Sequence, residues 1–273
     1  MFYHTLNPTL LNLGPVEIRW YGIVYVLGFL GTVWWMSYLS RHQKLSFTRD
    51  QIWDLVFYAM LGVLIGSRVF MIFWNPQVYL VRPWELFYLW QGGMSFHGGF
   101  VGIVAGTWLY CRKHHLSFLP IADIISVPAI FALALGRIAN FINGELWGTI
   151  TNASWCVDYS KNQYLSNLPA GCRHPNMIYS TFQRFLVGGW LLFLTFRQVW
   201  KPGFIFWNFV FWEGLGRIIV DVYRDYPAHQ LYFSFSLGQW FSAIMVLTAL
   251  YFFVKHYSTE WKQLFLPTKF INH

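Results

Sequence analysis

Long apolar stretches, separated by short polar segments, dominate the hydrophobicity pattern of this chain. A helix of about 20 mostly apolar residues crosses the roughly 30 Å hydrocarbon core of a bilayer. Seven stretches meet this criterion: residues 20–39, 52–74, 93–111, 121–141, 177–196, 204–222 and 238–254. The sequence lacks the alternating segments of about ten residues that build a membrane β-barrel. The pattern therefore predicts an all-α, polytopic integral membrane protein with seven transmembrane helices.

Composition agrees with a membrane protein. Of the 273 residues, 56% are hydrophobic and only 11% are charged, against about 25% charged in a soluble domain. The net charge of +8 does not indicate a nucleic-acid-binding protein, because the basic residues occur singly or in short groups and form no stripe. No repeat or second domain is evident, so residues 1–273 are predicted to form one membrane domain with an external loop at about 142–176.

Basic residues beside the spans predict the orientation, because Lys and Arg accumulate on the cytoplasmic side of a membrane. Ten lie on one side and five on the other. The larger group comprises Arg41, Lys44, Arg49, Arg112, Lys113, Arg197, Lys201, Lys255, Lys262 and Lys269, and the smaller group comprises Arg19, Arg82, Lys161, Arg173 and Arg224. We therefore expect the N-terminus outside and the C-terminus in the cytoplasm.

Four arginines fall inside the predicted spans, where a charge costs at least a few kcal/mol. They are Arg68, Arg137, Arg184 and Arg217. With the predicted orientation, Arg68, Arg137 and Arg217 are placed toward the outer leaflet. The same side of the membrane receives Tyr21, His97, Asn140, Glu213, Asp221 and Arg224. This convergence predicts an outer-leaflet cavity that holds an anionic lipid headgroup through arginines, since guanidinium groups are planar donors suited to phosphate.

Helical spacing places Arg137 and Asn140 on one face, and also groups Glu213, Arg217 and Asp221 at intervals of four residues. The triplet has two interpretations: a self-neutralising stripe of salt bridges that lowers the cost of burial, or a ligand site. For Arg137 and Arg217 an anionic ligand is the favoured interpretation.

Other polar residues also have two interpretations. His97 lies between glycines in the segment 92–99, and either packs as a capping histidine or transfers protons. The glycines allow close approach of a ligand or of another helix. Tyr21 is either an interface tyrosine or part of the site.

Cys156 and Cys172 lie in the external loop and form either a disulfide or two separate thiols. Cys111 is expected to be a packing residue.

The segment 136–148, Gly-Arg-Ile-Ala-Asn-Phe-Ile-Asn-Gly-Glu-Leu-Trp-Gly, resembles the signature of the prolipoprotein diacylglyceryl transferases, bacterial inner-membrane enzymes. Blocks at 19–22, 66–68, 92–99, 173–175 and 216–221 resemble other family blocks in the family's order. The resemblance covers nearly the whole chain. It implies transfer of an sn-1,2-diacylglyceryl group from phosphatidylglycerol to the lipobox cysteine thiol of a preprolipoprotein, with release of glycerol 1-phosphate and with an active site toward the outer leaflet.

The resemblance also implies roles for individual residues. Arg137 and Arg217 would hold the phosphate, and His97 would act as base unless the arginines themselves activate the thiol. Tyr21 would order the site as a fourth catalytic residue. Substrate binding would involve Arg137, Asn140, Asn143, Glu145, Arg68, Gly98 and Asp221. Since the nucleophile belongs to the substrate, no enzyme nucleophile is needed, and no metal or cofactor motif is present in the sequence.

The chain departs from the family at several positions. Residues 176–180 read Asn-Met-Ile-Tyr-Ser where the family usually has Ser/Thr-Gln-Leu-Tyr-Glu, Asp221 replaces a common glutamate, and Thr149 replaces a frequent arginine. Two rival functions remain open at this point: a transporter or receptor for an anionic solute, and a phospholipase or acyltransferase that uses His97.

Overall fold

The computed structural model describes residues 1–13, 16–42, 45–88, 95–227 and 230–265. Within these ranges the chain is mostly helical. Ten α-helices are described: α1 Trp20–Arg41, α2 Arg49–Val69, α3 Met71–Trp74, α4 Pro76–Tyr79, α5 Phe96–Lys113, α6 Phe118–Ile142, α7 Asn176–Arg197, α8 Phe204–Asp221, α9 Leu237–His256 and α10 Ser258–Leu264. A short 3-10 helix covers Pro83–Phe87.

Five of the described helices, α1, α2, α6, α7 and α9, are long and apolar enough to cross a membrane. Their outward faces carry large apolar side chains: Trp34 is 67% exposed, Leu247 66% and Val254 77%. Such faces suit hydrocarbon better than water. The prediction of an all-α integral membrane protein is therefore confirmed at this level. The predicted spans 93–111 and 204–222 correspond to α5 and α8, which have 18 residues each.

The predicted span 52–74 differs from the structure in one respect. The helix α2 ends at Val69, and a separate short helix α3 follows after Phe70. At its start, α2 has a capping box in which Thr48 and Gln51 each accept the other's backbone N–H. This reciprocal cap explains why the helix begins at Arg49, before the first residue of the apolar stretch.

Within the described ranges, six short strands that the sequence did not predict lie outside the helices. Strands β1 (Phe2–Tyr3) and β4 (Val157–Asp158) pair in parallel, β2 (Thr9–Leu13) pairs antiparallel with β3 (Val16–Arg19), and β5 (Leu231–Tyr232) pairs antiparallel with β6 (Phe235–Ser236). Strands this short depend on their pairing partners rather than on a local sequence pattern.

The chain forms two compact units, one of residues 1–28 and 123–273 and the other of residues 29–122. In the second unit, α2 and α5 pack closely through glycines. A Cβ added at Gly102 would overlap the carbonyl oxygen of Gly62, and one at Gly106 would overlap that of Tyr58. Small residues spaced four apart let two helix backbones approach to this degree.

In the first unit, Asp123 of α6 fixes the beginning of α8. Its carboxylate accepts the backbone N–H groups of Gly203 at 2.6 Å and Phe206 at 2.7 Å. These N–H groups belong to the first turn of α8, where they have no intrahelical acceptor and the helix dipole favours an anion. Because α8 carries Glu213, Arg217 and Asp221, Asp123 helps to set the position of the candidate site.

Candidate active site

The end of α6 carries Arg137 and Asn140, as the three-residue spacing predicts. The Arg137 guanidinium donates to the Asn140 side-chain oxygen at 3.2 Å, and Asn140 is only 5% exposed. The helix ends at Ile142, and Gly144 follows with a positive φ of 64°. A glycine in the left-handed conformation is a common way to end a helix, so the second half of the 136–148 segment turns away from α6.

The turn after α6 contains two more of the predicted binding residues. The Asn143 side chain donates to the Glu145 carboxylate at 2.6 Å, and Glu145 is exposed. The Glu145 backbone N–H donates to the Asn140 carbonyl at 3.1 Å. These bonds hold Asn140, Asn143 and Glu145 in one small structure.

Arg173 fastens this turn to the end of α8. Its guanidinium donates to the Gly148 carbonyl at 2.9 Å and to the Asp225 carboxylate at 2.6 Å. Backbone bonds from Thr149 N–H to the Tyr223 carbonyl and from Asp225 N–H to the Trp147 carbonyl join the same segments. A Cβ at Gly148 would overlap the His174 backbone, which explains the glycine at this position. This role of Arg173 was not predicted from the sequence.

The three charged residues that were grouped on α8 belong to two separate ion pairs. Arg217 lies 3.7 Å from Asp221, which also accepts a hydrogen bond from the Tyr226 hydroxyl at 2.8 Å. Glu213 instead forms an ion pair with Arg184 of α7. Arg217 packs against Gly238 at the start of α9, where a Cβ would lie 2.6 Å from its guanidinium. The interpretation as one stripe of salt bridges is therefore wrong for Glu213.

Arg184 is a second residue of the site whose role was not predicted from the sequence. It is 1% exposed and donates to Glu213 and to the Ser180 hydroxyl. Ser180 stands where the family usually has a glutamate, so the carboxylate that faces Arg184 comes from α8. The signal was present in the sequence, because a lone arginine inside an apolar span requires a counter-charge.

Arg137 lies within the electrostatic range of Arg184, Arg217, Arg224 and Glu213. Among the described residues, no carboxylate lies within ion-pair distance of Arg137. Four guanidinium groups therefore share this region with two carboxylates, Glu213 and Asp221, which leaves a surplus of two positive charges. We call the six residues the arginine cluster; they are Arg137, Arg184, Glu213, Arg217, Asp221 and Arg224. Arg184 is buried and the other three arginines are partly exposed, and a partly buried surplus of positive charge is suited to an anion.

The unit of residues 29–122 holds three other predicted site residues. Arg68 is 5% exposed and donates to the Tyr88 carbonyl. A Cβ added at Gly98 would overlap the Gly66 carbonyl. Gly98 therefore allows the close approach of another helix, which is one of the two roles, helix packing or ligand approach, that the sequence suggested for these glycines. His97 belongs to the first turn of α5, but its side chain lies outside the described residues, as do residues 92–94.

Tyr21 lies in the first turn of α1, within the unit that holds the arginine cluster. Its ring is 5.4 Å from that of Tyr25 in an edge-to-face arrangement, and it is half-buried. This contact accounts for the position of the ring without a ligand. A role for Tyr21 in the site stays a prediction.

Outside the spans, a disulfide and a buried histidine stabilise the segments around Arg173. Cys156 and Cys172 form a disulfide, as one of the two interpretations predicted. His4, 0% exposed, lies 2.7 Å from the Phe141 carbonyl through Nε2 and 2.7 Å from the Asn162 amide nitrogen through Nδ1. The partners assign a neutral ring that donates from Nε2 and accepts at Nδ1. Burial lowers the pKa of His4, with a smaller opposing effect of its backbone hydrogen bonds.

Fold and site together define a class: a polytopic helical membrane protein with a cluster of arginines contributed by α6, α7, α8 and the segment that follows α8. The model of the prolipoprotein diacylglyceryl transferase family matches residues 8–255. The chain is 38% identical over 258 residues to the phosphatidylglycerol–prolipoprotein diacylglyceryl transferase of Legionella pneumophila (strain Paris), covering 91% of this chain and 96% of the relative. It is 34% identical over 255 residues to the enzyme of the same name from Aeromonas hydrophila, covering 90% and 88%. The chain belongs to the prolipoprotein diacylglyceryl transferase family, as the sequence resemblance predicted.

Proposed function

We propose that this chain transfers the sn-1,2-diacylglyceryl group of phosphatidylglycerol to the lipobox cysteine of a preprolipoprotein. The arginine cluster is the single observation that carries the proposal. Its surplus of two positive charges matches the charge that develops on a departing glycerol 1-phosphate. The relatives from Legionella and Aeromonas carry names that state both substrates.

In the proposed reaction, the cysteine sulfur attacks the glyceryl carbon that bears the phosphate ester. The carbon–sulfur bond forms as the carbon–oxygen bond breaks, and the bonding electrons leave with the phosphate oxygen. Arg137 and Arg217 stabilise the negative charge on that phosphate, which is the electrostatic contribution expected of preorganised donors. The thiol proton passes to a base, for which His97 is the candidate.

The remaining predicted residues receive supporting roles. Asn140 orients Arg137 through their hydrogen bond, and Asn143 and Glu145 shape the turn beside it. Asp221 orients Arg217. Arg68 and Gly98, in the unit of residues 29–122, are proposed as binding residues on the family resemblance alone, and Gly98 packs against Gly66 within that unit. Tyr21 completes the proposed site.

We also propose that α5 and α8 cross the membrane together with the five long apolar helices, which gives seven spans. Each has 18 residues, or about 27 Å of helix. The N-terminus then lies outside and the C-terminus in the cytoplasm of a bacterial inner membrane, with the site toward the outer leaflet. The whole chain acts as one catalytic domain, and residues 142–176 form its external loop.

Mass spectrometry of a lipobox peptide, incubated with the purified chain and phosphatidylglycerol, tests this function. A mass increase of one diacylglyceryl group, with an equal amount of glycerol phosphate released, is the expected result. Release of glycerol phosphate without peptide modification would indicate a phospholipase instead. If neither product forms, the transferase proposal is wrong and binding of an anionic solute becomes the better explanation.

A further inference from the structure

One oxygen of the Glu213 carboxylate is buried without a hydrogen-bond donor among the described residues. The residue is 2% exposed, and its Oε1 accepts the hydrogen bond from Arg184. Its other oxygen, Oε2, is buried and has no hydrogen-bond partner in the part of the chain that the structure describes. A buried carboxylate oxygen without a donor is costly, and such an atom in a site calls for an explanation.

The position of Glu213 indicates what the missing donor is. Its charge acts on Arg137, which is proposed to hold the phosphate. In phosphatidylglycerol the nearer headgroup hydroxyl is carried by the second carbon beyond the phosphate ester oxygen. A carboxylate beside the phosphate-binding arginines is therefore within reach of that hydroxyl.

The peptide thiol is a less suitable donor. It must approach the diacylglyceryl carbon from the side opposite the departing phosphate oxygen, whereas the headgroup glycerol lies beyond the phosphorus. Arg184 already satisfies one oxygen of Glu213, so the carboxylate remains in place as an acceptor for a neutral hydroxyl. Hydrogen bonds to a charged group are the stronger ones, and they discriminate against analogues that lack the donor.

We propose that Glu213 recognises the headgroup glycerol of the lipid donor, accepting a hydrogen bond from a hydroxyl through Oε2 while Arg184 holds Oε1. This inference rests on the proposed function. It makes Glu213 a specificity residue and Arg184 a positioning residue, and neither carries the chemical step.

The test compares two lipid donors, phosphatidylglycerol and phosphatidyl-1-propanol, which differ only in the headgroup hydroxyls. The readout is the ratio of their kcat/KM values for modification of the lipobox peptide. The wild-type chain should favour phosphatidylglycerol by about 10- to 100-fold, the range expected for a hydrogen bond to a charged group. In Glu213→Gln the ratio should fall toward one.

The ratio separates recognition from a structural effect, because a disturbed ion pair with Arg184 would slow both donors equally. The control Glu260→Gln removes a carboxylate from α10 and should keep the wild-type ratio. A wild-type chain that uses both donors equally well overturns the inference without any variant, and so does an unchanged ratio in Glu213→Gln. A wild-type chain that modifies no peptide with either lipid overturns the proposed function itself.

Discussion

The two compact units use the same kind of sequence feature, a polar or small residue within an apolar span, for opposite purposes. In the unit of residues 29–122, Gly62, Gly66, Gly98 and Gly102 bring α2 and α5 into backbone contact. In the unit that contains α6 to α8, Gly136 has nothing within 4 Å of an added Cβ, and its neighbour Arg137 makes no described ion pair. Packing explains the glycines of the first region, whereas neither packing nor a described ion pair explains Arg137 in the second.

Among the variants that test this comparison, a replacement of Arg137 should have the largest effect, and the effect should be on activity. Arg137→Gln should lower diacylglyceryl transfer by at least about 100-fold, because a preorganised donor to a developing anion is removed. Its fold should survive, since the structure gives the guanidinium one described hydrogen bond, to Asn140. Peptide modification rates, measured alongside size-exclusion profiles in detergent, test both statements.

The matched control for that variant is Arg197→Gln, at the C-terminal end of α7, where the guanidinium donates to the Leu264 carbonyl. This variant should transfer the diacylglyceryl group at close to the wild-type rate. Equal loss of activity in both variants would show that any arginine deletion is harmful, and the distinction between the two regions would be lost.

Replacement of a packing glycine should have the reverse profile, with stability lost first. Gly102→Ala forces a Cβ into the Gly62 carbonyl and should cost about 3 kcal/mol. Gly136→Ala meets no neighbour and should be neutral or stabilising for the fold, because alanine favours a helix over glycine. Thermal unfolding in detergent compares the two, and a Gly102→Ala midpoint equal to that of Gly136→Ala would contradict the packing assignment.

Loss of the disulfide should destabilise the fold by no more than Gly102→Ala does. Cys156→Ser opens a loop of 16 residues and should cost about 3 kcal/mol at most, mainly by freeing the unfolded chain. Reductant should lower the melting temperature of the wild-type chain but not that of Cys156→Ser. Cys111→Ser, which removes a buried free thiol, should remain sensitive to reductant. If reductant left the melting temperature of the wild-type chain unchanged, the disulfide would not stabilise the fold as proposed.

His4 should give the smallest effect, a pH dependence of stability. Burial lowers its pKa in the folded state, so the unfolded chain binds the proton more readily. Stability should be complete above about pH 6.5 and fall as the pH drops below that value. His4→Gln should flatten the dependence of the melting temperature between pH 7 and 5, while His42→Gln, at an exposed position, should not. An identical slope in all three proteins would remove His4 from the account.

Local periodicity predicted much of this molecule. The apolar stretches gave the long helices, and the three-residue spacing of Arg137 and Asn140 matched their hydrogen bond. Pairing across distant segments was not predictable in the same way. Arg217 lies one helical turn after Glu213 on α8, yet Glu213 pairs with Arg184, which lies 29 residues earlier in the chain. The contacts of Arg173 with Gly148 and Asp225 likewise join segments that no local pattern connects.

The central claim is that the arginine cluster binds the phosphate of the lipid donor, and direct binding of glycerol 1-phosphate tests it without requiring catalysis. Calorimetric titration of the purified chain should detect glycerol 1-phosphate and show no binding of glycerol. Affinity should fall by at least about tenfold in Arg137→Gln, the loss of one charge-assisted contact, and remain unchanged in Arg197→Gln. Equal affinity of Arg137→Gln and the wild-type chain for glycerol 1-phosphate would contradict the account.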